Sequence, residues 1–207
     1  VQRIRTRFTK KPVGVSVNTA LLEGENFAGK LPAAVSDWWY HEFLPSRFED
    51  ADFFGMSYYA RIGYDPLPMT MLNTPEKIKG VGRMHDDMWE YCPSGLGINI
   101  RRFWNRYKLP IIITENGICT PDDNLRVRSI REYLQEVINC LNEGIDVQGY
   151  YHWSAWDNFE WNLGDSYRFG LYEVNPATLE RRPKPSAEYY SGISYSGVLN
   201  DAKPALC

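Results

Sequence analysis

The chain has 207 residues, with 23 Lys+Arg against 26 Asp+Glu for a formal charge of -3, and 43% of its residues are hydrophobic. That balance gives no global field for holding nucleic acid, and no apolar run reaches the roughly 18 residues that a bilayer crossing needs. The four cysteines, Cys92, Cys119, Cys140 and Cys207, form no C-x-x-C pair and are too sparse for a disulfide scaffold, so a reducing, cytoplasmic setting is expected.

Val1, Ile4 and Phe8 recur at helical spacing, with Arg3, Arg5 and Arg7 on the solvated face. The segment has neither an initiator Met nor the apolar centre of a leader, and it reads as a cut chain. Val13 to Asn18 is a short strand rich in β-branched residues that runs into a loop with Gly24, Gly29 and Pro32. Ser36 and Asp37 can cap a short helix through Trp38, Trp39, Phe43 and Leu44, and Asp52 to Tyr59 follows as a second buried strand. A long Pro/Gly/Met loop extends from Ile62 to about Trp89.

Ser94 is the expected N-cap of a helix whose residues Leu96, Ile100, Phe103, Trp104 and Tyr107 share one face. Ile111 to Glu115 is a third strand, apolar on consecutive residues as in a strand covered on both faces, and it ends in a carboxylate. The next helix carries Val127, Ile130, Leu134, Val137, Ile138 and Leu141 on a stripe and stops at Gly144. Val147 to Trp153 is the fourth strand. A loop containing Trp156, Asp157, Asn158, Glu160 and Trp161 leads to Tyr167 through Leu171, and a terminal helix begins near Pro185.

Helices alternating with strands, joined by connections long enough for parallel crossovers, indicate an α/β fold. A complete (β/α)8 barrel needs eight strands in about 250 residues. Only four are legible here, and no glycine-rich phosphate cradle follows any of them. Half of a (β/α)8 TIM barrel is therefore expected, as a single segment over residues 1–207. Strand C-termini line the mouth of such a barrel. They bring Asn18, Ser57, Tyr59, Glu115, Asn116 and Trp153 there, joined by Glu160 and Trp161. A carboxylate at the end of an isoleucine strand can act as a nucleophile, and one between aromatic residues can bind sugar hydroxyls. Cys119, Asp122 and Asp123 have no recognised ligand spacing and read as a solvated turn, so no metal is expected. His41, His85 and His152 are scattered, with His152 expected to face the mouth beside Trp153.

Three motifs occur in order: Ile113-Thr-Glu115-Asn-Gly, Trp153-Ser-Ala-Trp-Asp-Asn-Phe-Glu160-Trp161, and Arg168-Phe-Gly-Leu followed by Arg182-Pro-Lys-Pro-Ser-Ala. Together they closely resemble the C-terminal half of family 1 glycoside hydrolases, the β-glucosidase and β-galactosidase type. The resemblance covers essentially the whole chain and implies the fifth to eighth strands of the barrel, with Trp89-Glu-Tyr-Cys-Pro-Ser-Gly closest to the archaeal branch. It implies a retaining β-glycosidase (EC 3.2.1.-, with β-glucosidase, 3.2.1.21, foremost) acting on terminal β-D-glucosyl or galactosyl residues without a cofactor. By the same resemblance Glu115 is the nucleophile and Tyr59 the residue that hydrogen-bonds it. Trp153 is the platform under the sugar. Glu160 and Trp161 bind its hydroxyls, Phe169 lies beside C6, and Ser57 and Asn116 complete the substrate-binding set.

Ser57 departs from the family's Asn, and Tyr167 supplies no cation for a phosphosugar. The family's acid/base N-E-P motif is missing from these residues, since Asn142-Glu143 is followed by Gly144 and reads as a helix cap. The chain alone is thus expected to be inactive, with the missing N-terminal half-barrel or a second copy of itself as partner. A noncatalytic half-barrel that binds carbohydrate or a partner chain, and a transglycosylase using the same covalent intermediate, are the alternatives.

Overall fold

Four strands pair in parallel in the spatial order β1 (Gly14–Gly24), β2 (Phe53–Asp65), β4 (Ile111–Asn116) and β5 (Val147–His152). The short strand β3 (Thr70–Leu72) turns back antiparallel along β2. This computed structural model describes residues 11–65, 70–72 and 86–199. Helices α1 (Lys30–Trp38), α2 (Pro93–Tyr107) and α3 (Asp123–Asn142) connect successive parallel strands, and α4 (Pro185–Ser196) follows a two-stranded hairpin, β6 (Tyr172–Val174) and β7 (Arg181–Pro183).

Strand alternation sorts the side chains. On β2, Phe54, Met56 and Tyr58 are buried against Leu96, Ile100 and Phe103 of α2 and Tyr133 and Val137 of α3. Because successive side chains point to opposite faces, Ser57 and Tyr59 lie on the other side of the sheet. Ile111 and Ile113 join the helix-covered core, whereas Glu115 does not. The face away from the helices is polar near its middle: Ser16 Oγ lies 2.7 Å from Thr114 Oγ1, and Ser57 Oγ 3.4 Å from the same atom. Gly55 between them makes this meeting possible, since a Cβ there would come within 2.9 Å of Thr114 and 3.0 Å of Ser16.

Several boundaries differ from the sequence-based expectation. β1 and β2 run on to Gly24 and Asp65 because they continue to pair with each other, from Leu21 opposite Arg61 to Gly24 opposite Tyr64. α1 starts at Lys30, so Ser36 and Asp37 lie inside it and cap nothing. Asp37 instead sits 2.9 Å from His41 Nδ1 and accepts a 2.7 Å bond from Arg102 of α2, an interaction between segments distant in sequence. The chain continues from α1 through a π-helical turn, Trp39–Phe43. α2 is capped at Cys92 with Pro93 in its first turn, and not at Ser94. Proline's fixed φ and missing N–H suit that position.

The cap at Gly144 holds, with φ at +81° just past the end of α3. Asp122 is a true N-cap, accepting from the Asn124 and Leu125 amides. Cys119, expected in a solvated turn, is fully buried. The expected N-terminal helix, His85, Cys207 and most of the loop before Trp89 lie outside the described residues. No helix among the described residues is long and apolar enough to cross a membrane.

Candidate active site

Parallel pairing sets Ser57 of β2 opposite Glu115 of β4, and Tyr58 opposite Asn116. Tyr59, one residue further along β2, donates its hydroxyl to Glu115 Oε2 at 2.9 Å. The Tyr59 hydroxyl is held well above the ordinary phenol range, first by burial and then by the negative charge of Glu115, with Glu160 adding in the same direction. It is therefore a donor throughout the working pH range, and the Glu115 carboxylate is an acceptor fixed by that bond. Behind Tyr59 stand Trp89, at 5.1 Å between ring centroids, and Phe169, at 6.4 Å.

The exit of β5 crosses the exit of β4. Trp153 donates its amide to the Asn116 carbonyl at 2.9 Å, and a Cβ on Gly117 would fall 1.9 Å from the Trp153 carbonyl oxygen. Only glycine fits there, which accounts physically for the last residue of Thr-Glu-Asn-Gly. The Trp153–Ser154 peptide is cis. Beyond it Glu160 is half-buried, accepts from Asn158 Nδ2 at 2.8 Å, and starts a tight turn in which Trp161 has φ of +47° and is 84% exposed.

Asp157 anchors this loop to the Arg168–Leu171 segment. Its carboxylate accepts from the Gly170 amide at 2.9 Å and from Lys184 Nζ at 3.0 Å.

Three expected site residues are placed differently. Asn116 is fully buried, with Nδ2 donating to the Tyr58 carbonyl at 2.6 Å and Oδ1 accepting from Tyr150 at 2.7 Å. Its amide joins three strands and presents nothing to a substrate. Phe169 is 1% exposed and braces Tyr59 and Trp89, so it lacks the open face expected beside a sugar's C6. His152 is turned toward Tyr190 of α4, its ring nitrogens inaccessible and without a hydrogen-bond partner among the described residues. Burial pushes its pKa down to about 3, and it does not serve the mouth. Ser57 stays beside Glu115, with its hydroxyl directed to Thr114.

Two residues near the site carry no motif signal. Arg126, fully buried, donates to Asp123 at 2.6 Å, to the Thr120 carbonyl, and to the Arg168 carbonyl at 2.9 Å. It thereby ties the exit of β4 to the segment bearing Phe169. Asp86 does the same for Trp89. A lone Arg or Asp in a polar stretch looks like any solvated charge, and only tertiary packing reveals either one.

Compared with known proteins, residues 44–197 match the model of glycosyl hydrolase family 1. The chain belongs to that family. It is similar to the beta-galactosidase of Sulfolobus acidocaldarius, 36% identical over 165 residues, covering 72% of this chain and 32% of the relative. It is also similar to the 1,4-beta-D-glucan glucohydrolase of Thermotoga neapolitana, 30% identical over 198 residues, covering 84% of this chain and 43% of the relative. Among solved structures, a beta-glycosidase from Pyrococcus horikoshii superposes with a TM-score of 0.79 at 30% identity, over 95% of this chain and 51% of that one. The family 1 chain thus spans from 32% to 51% of the length of these relatives, which are β-glycosidases on a TIM-barrel scaffold.

Proposed function

We propose that the protein carrying this chain is a retaining β-glycosidase that removes terminal β-D-glucosyl or β-D-galactosyl residues, with Glu115 as its nucleophile. In this reading residues 1–207 form one segment, the fifth to eighth strands of the barrel. The observation that carries the reading is the Tyr59–Glu115 hydrogen bond of 2.9 Å at the C-terminal end of β4, where its parallel pairing with β2 stops. That end of a barrel is where the fold builds active sites. Tyr59 keeps one carboxylate oxygen engaged, and the other attacks the anomeric carbon as the glycosidic bond breaks, forming a glycosyl-enzyme.

Trp153 packs under the sugar ring, and Glu160 and Trp161 take its hydroxyls. Retention requires a second carboxyl group about 5 Å from the first, to protonate the leaving oxygen and then to activate water. We assign that group to the half of the barrel outside these residues. The same half, or a second copy of this chain, is the partner that completes the site. The described cysteines Cys92, Cys119 and Cys140 are free thiols, in keeping with a cytoplasmic setting. Glucosides are the first substrates to test.

The full-length protein, treated with a 2-deoxy-2-fluoro β-glucoside bearing a good leaving group, should be labelled on the peptide containing Glu115. A label on any other carboxylate overturns the assignment.

A further inference from the structure

Asp86 lies far from any expected site residue in sequence, yet it is 6% exposed and its carboxylate is turned onto the backbone of two segments. Oδ1 accepts from the amides of Met88 at 2.7 Å and Trp89 at 2.5 Å, closing a tight turn, and Oδ2 accepts from the Cys119 amide at 2.9 Å. The clamp works in both directions, because the Asp87 amide also donates to the Cys119 carbonyl at 2.8 Å. On its far side the turn is fixed to β2, where the Arg61 amide donates to the Glu90 carbonyl. The indole of Trp89 is thereby held between the rings of Tyr59 and Phe169, at 5.1 and 6.0 Å. Cys119 is four residues beyond Glu115 on the same exit of β4.

We propose that Asp86 is a positioning residue of the active site: by locking the Trp89 turn onto the exit of β4, it fixes the Tyr59 ring and so the hydroxyl that meets Glu115. This role rests on Glu115 being the nucleophile. Asp86 touches no reacting atom. A carboxylate suits the task because both of its oxygens accept, one toward each segment. An amide of the same shape must turn an NH2 group toward one of the facing N–H donors and lose that tie. Misplacing a nucleophile by a fraction of an ångström is costly, since catalysis depends on near-attack geometry.

The test is a double-mutant cycle on aryl β-glucoside hydrolysis by the full-length protein. Asp86→Asn should lower kcat by roughly tenfold to hundredfold with little change in KM, the signature of a lost positioning effect. In a Tyr59→Phe background the same substitution should cost less than about threefold, because the bond it serves is already gone. Equal losses in the two backgrounds, or wild-type kinetics for Asp86→Asn, overturn the proposal. If Asp86→Asn does not fold, Trp89→Phe replaces it in the cycle, and additivity there overturns the proposal equally. A Glu115→Ala control separates the two levels: residual turnover equal to wild type removes the nucleophile assignment itself, whereas a dead control beside additive cycles removes only the role of Asp86.

Discussion

Glu160 and His152 are both polar residues near the fourth strand's exit, and their surroundings set them different tasks. Glu160 is half-buried, with Oε2 held by Asn158. Glu160→Gln in the full-length protein should lower kcat/KM by removing charge-assisted hydrogen bonds to the sugar, each worth roughly 1.5–3 kcal/mol. A variant within twofold of the parent would make Glu160 structural. His152 is half-buried with both ring nitrogens inaccessible, and its pKa is lowered from 6.5 to about 3 by desolvation, with the nearby charge of Arg126 adding to the shift. Between those values the unfolded chain binds a proton that the folded one does not. Its contribution to stability is full above pH 6.5 and is lost as pH falls toward 3.

Asp86 acts in the opposite sense, since burial raises its carboxyl from 3.8 to about 6 and the folded state takes up its proton first. The two are separated by comparison with His152→Leu. Wild type should lose stability relative to that variant as pH falls below 6.5, measured by urea midpoints. Parallel curves would exclude the effect.

Between elements, the decisive contacts are places where backbones cross. Gly117→Ala would press a methyl group into the Trp153 carbonyl, 1.9 Å from the ideal Cβ position. Overpacking of this kind costs about 1–3 kcal/mol, and each kcal/mol lowers Tm by about 2–4 °C in a domain of this size. Calorimetry of the variant measures the loss directly. A shift also displaces Trp153, so activity should fall further than stability.

The α3–α4 contact depends on Asp123, which accepts from Arg126 and from both the amide and the hydroxyl of Ser186. Asp122→Ala, which removes only the neighbouring N-cap, should cost about 1 kcal/mol and leave that contact intact. Hydrogen exchange at the Ser186 amide distinguishes the two outcomes.

At the scale of the whole molecule, β1 and β5 each have a single strand neighbour among the described residues. Beside β1, α1 and its π-helical extension leave Leu31, Val35, Trp38 and Trp39 between 44% and 73% exposed. Unpaired strand edges and a contiguous apolar patch are both association hazards. The isolated 207-residue chain should therefore self-associate and bind a hydrophobic dye, as sedimentation and fluorescence would show. A stable monomer that takes up no dye would count against the open half-barrel. Purified alone, the chain should not turn over an aryl β-glucoside, with no steady nitrophenol release, because deglycosylation needs a base to activate water. Turnover that vanishes in Glu115→Ala would reveal a second catalytic group within these residues.

The four parallel strands, the helices α2 to α4 and the motif-bearing residues were legible in the sequence because they rest on local physics. The apolar and aromatic residues between Asp52 and Tyr59 marked β2, the run Ile111–Ile113 marked β4, and Gly144 ended α3 through a backbone angle that glycine adopts freely. Thr-Glu-Asn-Gly and Asp-Asn-Phe-Glu-Trp located Glu115 and Glu160 for the same reason, since each motif is a short stretch read within itself. What the sequence could not decide is which polar group faces which. Asn116 and Phe169 turn inward, and His152 packs on α4, because neighbouring strands and helices occupy the other side of each residue.

α1 begins earlier than its apparent cap, and Asp37, lying inside it, meets Arg102, distant in the chain. Asp86 and Arg126 are single charges in polar stretches, without periodicity or motif, and become clamps only when folding brings distant backbone amides and carbonyls within hydrogen-bond reach. Local pattern therefore fixed the parts of this protein, and tertiary hydrogen bonding decided which of them meet at Glu115.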